Sequence, residues 1–250
     1  MYDIGVISDI HGNKHALDAV LKHMKDKYSP KEIYCVGDLV NYNPFPKETV
    51  DIIRNEPLIT TIVKGNHDHA AGIGIDLEIM TKFNTYAQIG LRFTIKNLSN
   101  EYRRFLYQLP TNLTKKVTYK RNKTREVYLV HGSPQYPMWQ YLYPGDEELN
   151  NLFTFMDEIF MNDILLLGHT HFPFILKNDK KEIKKDLMII NPGSVGLPRD
   201  GDQRASYAVL DAKKMDAKIE RVEYDVQKVV DKIYELGWPK YYAERLLGEK

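Results

Sequence analysis

The sequence predicts an α/β fold. Two patterns carry that reading. Short apolar strands alternate with amphipathic helices over the first 63 residues, and after about residue 174 the spacing shortens to strands joined by polar turns. A third pattern bears on chemistry: five of the strand exits end in residues of the metal-ligand type.

Residues 4–8 form an apolar strand, followed by Asp9-Ile10-His11-Gly12-Asn13. A helix follows, with Asn13 as N-cap and Ala16, Leu17, Val20, Leu21 and Met24 as its buried stripe. His15 and His23 lie off that stripe and are expected in solvent. A strand over 33–36 leads into Gly37-Asp38, and the loop Asn41-Tyr42-Asn43-Pro44-Phe45-Pro46 leads into a helix over 47–54. The β-branched run 59–63 is a third strand, and Gly65-Asn66-His67-Asp68 reads as its exit turn. Strand–helix–strand–helix–strand implies a parallel sheet with right-handed crossovers.

Residues 70–74 are small and glycine-rich, which suits either a mobile pocket edge or a linker. Helical patterning returns over 78–94 and 100–108, with Ser99 as a cap and Pro110 as the stop. Phe83, Tyr86 and Phe93 read as core. Strands 117–119 and 127–130 form a hairpin whose basic tip, 120–125, reads as a solvated turn. The second strand ends in His131-Gly132-Ser133-Pro134. A proline- and tyrosine-rich loop runs to Gly145, before a helix over 147–155. The apolar strand 164–167 ends in Gly168-His169-Thr170-His171. Strands 174–177, 187–190, 206–210 and 218–224 follow and are expected antiparallel. Helices over 226–236 and 240–247 close the chain, either packed on the domain or forming a dimer contact. With no linker in view, residues 1–250 read as a single domain, with C-terminal helices from about 226.

Composition narrows the class. Of 250 residues, 43% are hydrophobic and 28% charged, enough to bury a core. A net charge of +1 argues against a general nucleic-acid surface. The one cysteine, Cys35, lies in an apolar run, so it forms no intramolecular disulfide and reads as a buried structural thiol. No apolar run is long enough to span a bilayer, and the start shows no leader pattern. The expectation is a cytoplasmic protein with no membrane partner and an open oligomeric state.

The strand exits collect Asp9, His11, Asp38, Asn66, His67, Asp68, His131, His169 and His171, which include five of the eight histidines. In an open parallel sheet, loops at the carboxyl ends of the strands share one edge, so these turns converge. Carboxylates, an amide and several imidazoles at one place call for a cation. Such donors suit manganese, iron, zinc, nickel or cobalt, and the lack of thiolates argues against structural zinc. The ligand count exceeds one ion and fits two, bridged by Asp38. Metals ~3.5–4 Å apart clamp an in-line displacement.

Asp9-Ile10-His11, Gly37-Asp38, Gly65-Asn66-His67-Asp68, His131-Gly132 and Gly168-His169-Thr170-His171 resemble, in order and spacing, the five signature blocks of the calcineurin-like metallophosphoesterase superfamily. The segment 191–202, Asn191-Pro192-Gly193-Ser194 onward, is similar to that of its small prokaryotic phosphodiesterases. The resemblance covers about residues 1–225. It implies an α/β/β/α sandwich of two mixed sheets flanked by helices. It also implies two divalent ions, manganese first among them. Asp9, His11, Asp38 and His171 would hold one ion, and Asp38, Asn66, His131 and His169 the other. The implied reaction is hydrolysis of a small phosphate ester by a hydroxide shared between the metals. His67 would stand over the metals to stabilise phosphoryl oxygens or protonate the leaving alkoxide, with Asp68 orienting it and keeping it cationic.

The sequence departs from the family at Asn41-Tyr42-Asn43-Pro44, where relatives often carry two glycines. Asparagine tolerates positive φ, so the turn is expected to survive. Asn41 and Asn43 are then candidate substrate contacts. Arg199 is a candidate phosphate grip, set against a turn salt bridge with Asp200 or Asp202. Ser194 is a weaker anion contact, and His69 is expected at the rim. Competing readings are a non-catalytic metal-binding scaffold, a dinuclear amidase or peptidase, and the dinucleoside-polyphosphate or protein phosphatase subtypes.

Overall fold

The computed structural model describes residues 2–120, 123–160, 162–178, 183 and 185–249. It opens with β1 (Ile4–Ile7), α1 (Lys14–Tyr28), β2 (Glu32–Cys35), α2 (Pro46–Asn55) and β3 (Ile59–Ile62). β1 pairs in parallel with β2 from Ile4 against Glu32 to Ile7 against Cys35, and β2 pairs in parallel with β3. Asn13 caps α1 by accepting from the Ala16 amide, and the five stripe residues are buried. His15 and His23 are not free in solvent. His15 packs edge-on against Phe45, and His23 Nδ1 meets the Tyr207 hydroxyl at 2.9 Å.

α3 (Asn66–Ile73), α4 (Leu77–Met80), α5 (Thr85–Asn97) and α6 (Asn100–Gln108) follow. The block at Gly65–Asp68 is therefore the start of a helix, and 70–73 is its body rather than a mobile edge or a linker. Helical periodicity was masked there by the run of small and polar residues. Ser99 stands at the N-cap of α6 without a side-chain cap bond. β4 (Asn112–Lys120) and β5 (Lys123–Val130) form the expected hairpin, with Arg121 and Asn122 of its tip outside the described residues.

α7 (Glu147–Phe155) runs into a π-turn at Met156–Phe160, and then come β6 (Ile164–Leu166), β7 (Phe174–Lys177), β8 (Met188–Asn191), β9 (Ala205–Asp211) and β10 (Asp216–Val222). Two five-stranded sheets result, ordered β10-β9-β1-β2-β3 and β4-β5-β6-β8-β7. The antiparallel expectation holds for β7 with β8 and for β9 with β10, and β8 also pairs in parallel with β6 on its other side. A strand between two neighbours serves both, and sequence spacing reports only one.

Alternation along the strands builds the layers. Ile4 and Val6 of β1, Tyr34 of β2 and Val36 beside it meet Val127, Leu129, Ile164, Leu166, Met188 and Ile190 between the sheets. Ile7, Ile33, Cys35, Tyr207 and Val209 face outward onto the stripe of α1 and its neighbours. Tyr128, Val130, Leu165 and Ile189 face outward onto Leu149, Leu152 and Phe153 of α7. This is the helix–sheet–sheet–helix sandwich. α8 (Val226–Glu235) and α9 (Tyr241–Leu247) pack on the first sheet's helices, where Tyr241 stacks on Tyr86 at 3.7 Å and the Tyr242 hydroxyl donates to the Tyr86 carbonyl. Among the described residues, no helix is long and apolar enough to cross a membrane.

Candidate metal centre

Asp9 and His11 leave β1, Asp38 leaves β2, and Asn66, His67 and Asp68 open α3 after β3. His131 leaves β5, and His169 and His171 leave β6. Three turns of one sheet thus meet two of the other, and all nine residues are buried. Backbone amides stitch the turns together: Asp9 to the Gly37 carbonyl, His11 to that of Asp38, Gly168 to that of His131 and Gly196 to that of Asp9. Asp9, His11, Asp38, His169 and His171 all have φ between 49° and 68°. Non-glycine residues resist that region, at roughly 1 kcal/mol or more each, and such strain gathers at functional sites. Gly65 lets α3 approach, since a Cβ there would lie 2.0 Å from Asp38 Oδ1.

Asp38 Oδ2 lies at the centre. It is 3.2 Å from His131 Nε2, 3.8 Å from His11 Nε2 and 3.9 Å from His67 Nε2. Its other oxygen accepts the His67 amide. Asp9 Oδ2 is held by the Ser8 hydroxyl and the His169 amide, which leaves Oδ1 facing His171 Nε2 at 3.2 Å. Three imidazoles are anchored in the same way: His11 Nδ1 to the Val40 carbonyl, His131 Nδ1 to that of Val36 and His171 Nδ1 to that of Leu197. A carbonyl only accepts, so each Nδ1 carries a proton, and the neutral rings of His11 and His171 turn an Nε2 lone pair inward.

Burial lowers the imidazoles of His11 and His171, which stay neutral, and takes His169 down to about 3. Burial also pulls His131 down, but the Asp38 carboxylate beside it and Asp9 beyond push it up to about 9.

The donors fit a metal. Asp9 Oδ1, Asn66 Oδ1, His131 Nε2 and His169 Nε2 are buried with no hydrogen-bond partner among the described residues. Leaving so many polar atoms unpaired costs about 1–3 kcal/mol each, and a cation satisfies them together. Asp9, His11 and His171 form one group able to hold an ion, and Asp38, His131 and His169 another, each with ligand atoms within 4.8 Å. Asp38 also groups with His11 and His67. The all-oxygen-and-imidazole set suits a borderline to hard divalent ion.

His67 differs from the other rings. Its Nδ1 faces the Asn41 amide nitrogen at 2.6 Å. That amide is oriented by backbone partners, because its nitrogen also donates to the Ala87 carbonyl and its oxygen accepts the Tyr42 amide. His67 Nδ1 is therefore an acceptor, and the neutral ring carries its proton on Nε2. Burial takes this imidazole down to about 4 in spite of Asp38.

The expected His67–Asp68 pair is not what forms. Asp68 Oδ2 accepts the amides of Asp38 and Gly65, and Oδ1 accepts that of Leu39. Asp68 thus braces the loop that presents Asp38. Burial and the Asp38 charge push its carboxyl up to about 7, against the pull of those amides.

The second-tier residues divide. Asn41 and Tyr42 take positive φ, as the turn requires. Asn41 serves His67, and Asn43 donates to the His11 carbonyl, so both amides are engaged by the protein itself. The Ser194 hydroxyl donates to the Asp9 carbonyl and accepts the Leu197 amide, so it too is a brace. The turn salt bridge set against an Arg199 phosphate grip is displaced: Asp200 pairs with Arg221, and Asp202 with Arg204 and Arg221. Arg199 Nε is buried without a partner, and its charge lowers His67 and His171. His69 stacks on Tyr107 of α6.

Sequence reasoning missed the walls. A cavity of about 200 Å³ beside His67 and His169 is lined by Tyr42, Phe83, Trp139 and Tyr141. Phe83 was expected only as core, yet its ring also lies 4.8 Å from that of His67. The tyrosine-rich loop after β5 was the available signal. A larger hollow of about 520 Å³ lies between that loop and α7, lined by Glu148 and Glu158 but no imidazole.

Comparisons with known proteins agree with this geometry. A sequence model of the calcineurin-like phosphoesterase superfamily domain matches residues 2–215. An uncharacterized protein of Methanocaldococcus jannaschii is 36% identical over 97% of this chain and 96% of its own length. The crystal structure of a metallophosphoesterase from Sphaerobacter thermophilus is 32% identical, covers 99% of this chain and 98% of that one, and superposes with a TM-score of 0.77. A hypothetical protein from Pyrococcus horikoshii shares the fold, with a TM-score of 0.83 at 24% identity over 97% of this chain and 96% of its own. Matched over most of its length, the chain belongs to the calcineurin-like phosphoesterase superfamily.

Proposed function

We propose that this chain is a metal-dependent phosphohydrolase of small phosphate esters, with phosphodiesters favoured over monoesters. One observation carries the reading: His67 groups with His11 and Asp38 beside the two ligand sets, yet Asn41 directs its proton to Nε2, the nitrogen that faces Asp38. A nitrogen that carries a proton cannot coordinate, but it can donate.

Asp9, His11, Asp38 and His171 would hold one divalent ion, and Asp38, Asn66, His131 and His169 the second, with manganese the preferred metal. When bound, the ions supply an acidified water and neutralise charge on the phosphoryl group. The residues do the rest. Asp38 Oδ2 keeps the two ligand groups in register. His67 Nε2–H donates to the oxygen on which charge develops, and it needs no protonated imidazolium to do so. Arg199 grips a non-bridging oxygen. The braces from Asp68, Ser194 and Asn43 hold this frame before substrate arrives.

The test is hydrolysis of bis-(p-nitrophenyl) phosphate and p-nitrophenyl phosphate by protein stripped with chelator and reloaded with manganese, beside p-nitroacetanilide. Metal-dependent cleavage of the phosphate esters, faster for the diester, is expected. Cleavage of the anilide instead would point to an amidase. No turnover with any divalent ion, despite two bound metals, would leave a metal-binding scaffold.

A further inference from the structure

The walls of the cavity beside His67 have a composition that phosphoryl transfer itself does not require. Phosphoryl transfer calls for charge and hydrogen-bond donors, and the ligand groups, His67 and Arg199 provide them. Next to these lie four aromatic rings brought from separate stretches of chain. Tyr42 follows β2, Phe83 joins α4 to α5, and Trp139 and Tyr141 come from the loop after β5. Both sheets thus contribute rings to one small space.

The rings form a corner. Phe83 and Trp139 lie 5.7 Å apart at 57°, and Phe83 lies 4.8 Å from His67. Tyr141 stacks on His169 at 3.8 Å and 23°, so its ring reaches from the metal centre into the cavity. Tyr141 is 47% exposed and Trp139 half-buried, so aromatic surface remains uncovered beside a highly polar centre. Lys82 lines the same cavity, with its ammonium 5.0 Å from the Trp139 ring. A flat ring with polar edges covers aromatic faces without stranding its own hydrogen-bonding groups, and each stacked base gains affinity on such a platform. An alkyl group fills the space without stacking. At about 200 Å³, the cavity suits one ring system.

We propose that this cavity is the subsite for the organic part of the ester and that it takes a nucleobase, so the substrates are nucleotide esters. The proposal rests on the phosphohydrolase reading for its chemistry. Base recognition, however, is measurable without turnover. Trp139 is its main platform, and Lys82, whose ammonium lies over that ring, supplies a cation beside the base.

The experiment is titration calorimetry of the manganese-loaded protein with AMP and with ribose 5-phosphate, which differ only by the base. AMP is expected to bind at least about ten-fold more tightly, the scale of one base–aromatic stack. Trp139→Leu should reduce that ratio to under about three-fold by weakening AMP, and Trp139→Phe, which keeps a ring, should retain most of it. Wild-type affinities equal within about three-fold would overturn the proposal, as would a full ten-fold ratio surviving in folded Trp139→Leu. A ten-fold base preference without hydrolysis of any ester would count against the hydrolase reading alone. Hydrolysis with equal affinities would count against the subsite alone.

Discussion

The Nε2 atoms of His11 and His171 lie 3.0 Å apart, while the Nδ1 of each ring faces a main-chain carbonyl. With both protons on Nδ1, two lone pairs point at each other in a buried site. A cation close to both turns that repulsion into coordination. The chelator-stripped protein should therefore melt at least about 5 °C below the manganese-loaded form, because an ion that binds the folded state stabilises it by mass action. His171→Ala should shrink this difference, and calorimetric scans of both proteins check it. Equal melting temperatures with and without metal would count against the assignment.

Asp68 should act on stability and not on the chemical step. Its carboxylate accepts three backbone amides. Asp68→Asn would set an NH₂ against at least one of those donors, at about 1–3 kcal/mol. Urea unfolding of the metal-free variant should show that loss, and any fall in activity should follow metal occupancy.

Asn41 decides where the His67 proton sits. Asn41→Asp would replace a donor by an anion, protonate Nδ1 and favour the imidazolium. The pH–rate profile should then gain an alkaline limb that the parent lacks, as the variant's imidazolium loses its proton. An unchanged profile would mean that Asn41 does not set the state of His67.

Metal-free protein should lose stability in acid. Burial holds His67 at about 4 and His169 at about 3, and keeps His11 and His171 low as well. Unfolded histidines titrate near 6.5, so between about pH 6.5 and 4 the unfolded chain binds more protons, and stability falls as pH falls. Asp68, raised to about 7, works in the opposite sense, gaining stability as pH drops from about 7 toward 4, but it is one group against four. His131, raised to about 9, acts only above 6.5, where its contribution is lost as pH rises. Thermal melts in chelator across pH 4–9 should thus peak near pH 6–7.

Much of this was legible in the sequence. The stripe of α1, the strand exits and the seven ligand-type residues could be read because each obeys a local rule of periodicity or donor chemistry. What escaped was relational. Asp68 sits next to His67 in sequence, yet as the third residue of α3 its carboxylate turns back to the amides at Gly65 and Asp38. Asn41, 26 residues away, takes the place at His67 that adjacency gave to Asp68. The helix over 66–73 was hidden by Gly72 and by polar residues chosen for the site rather than for a buried stripe. The aromatic walls come from loops, which carry no periodicity.

The most direct measurement is His67→Ala, with metal content and hydrolysis of bis-(p-nitrophenyl) phosphate determined on the same manganese-loaded sample. Two ions per chain should be retained and kcat should fall by about 10²–10⁴-fold. Loss of an ion would make His67 a ligand, and unchanged kcat with both ions in place would remove it from the reaction.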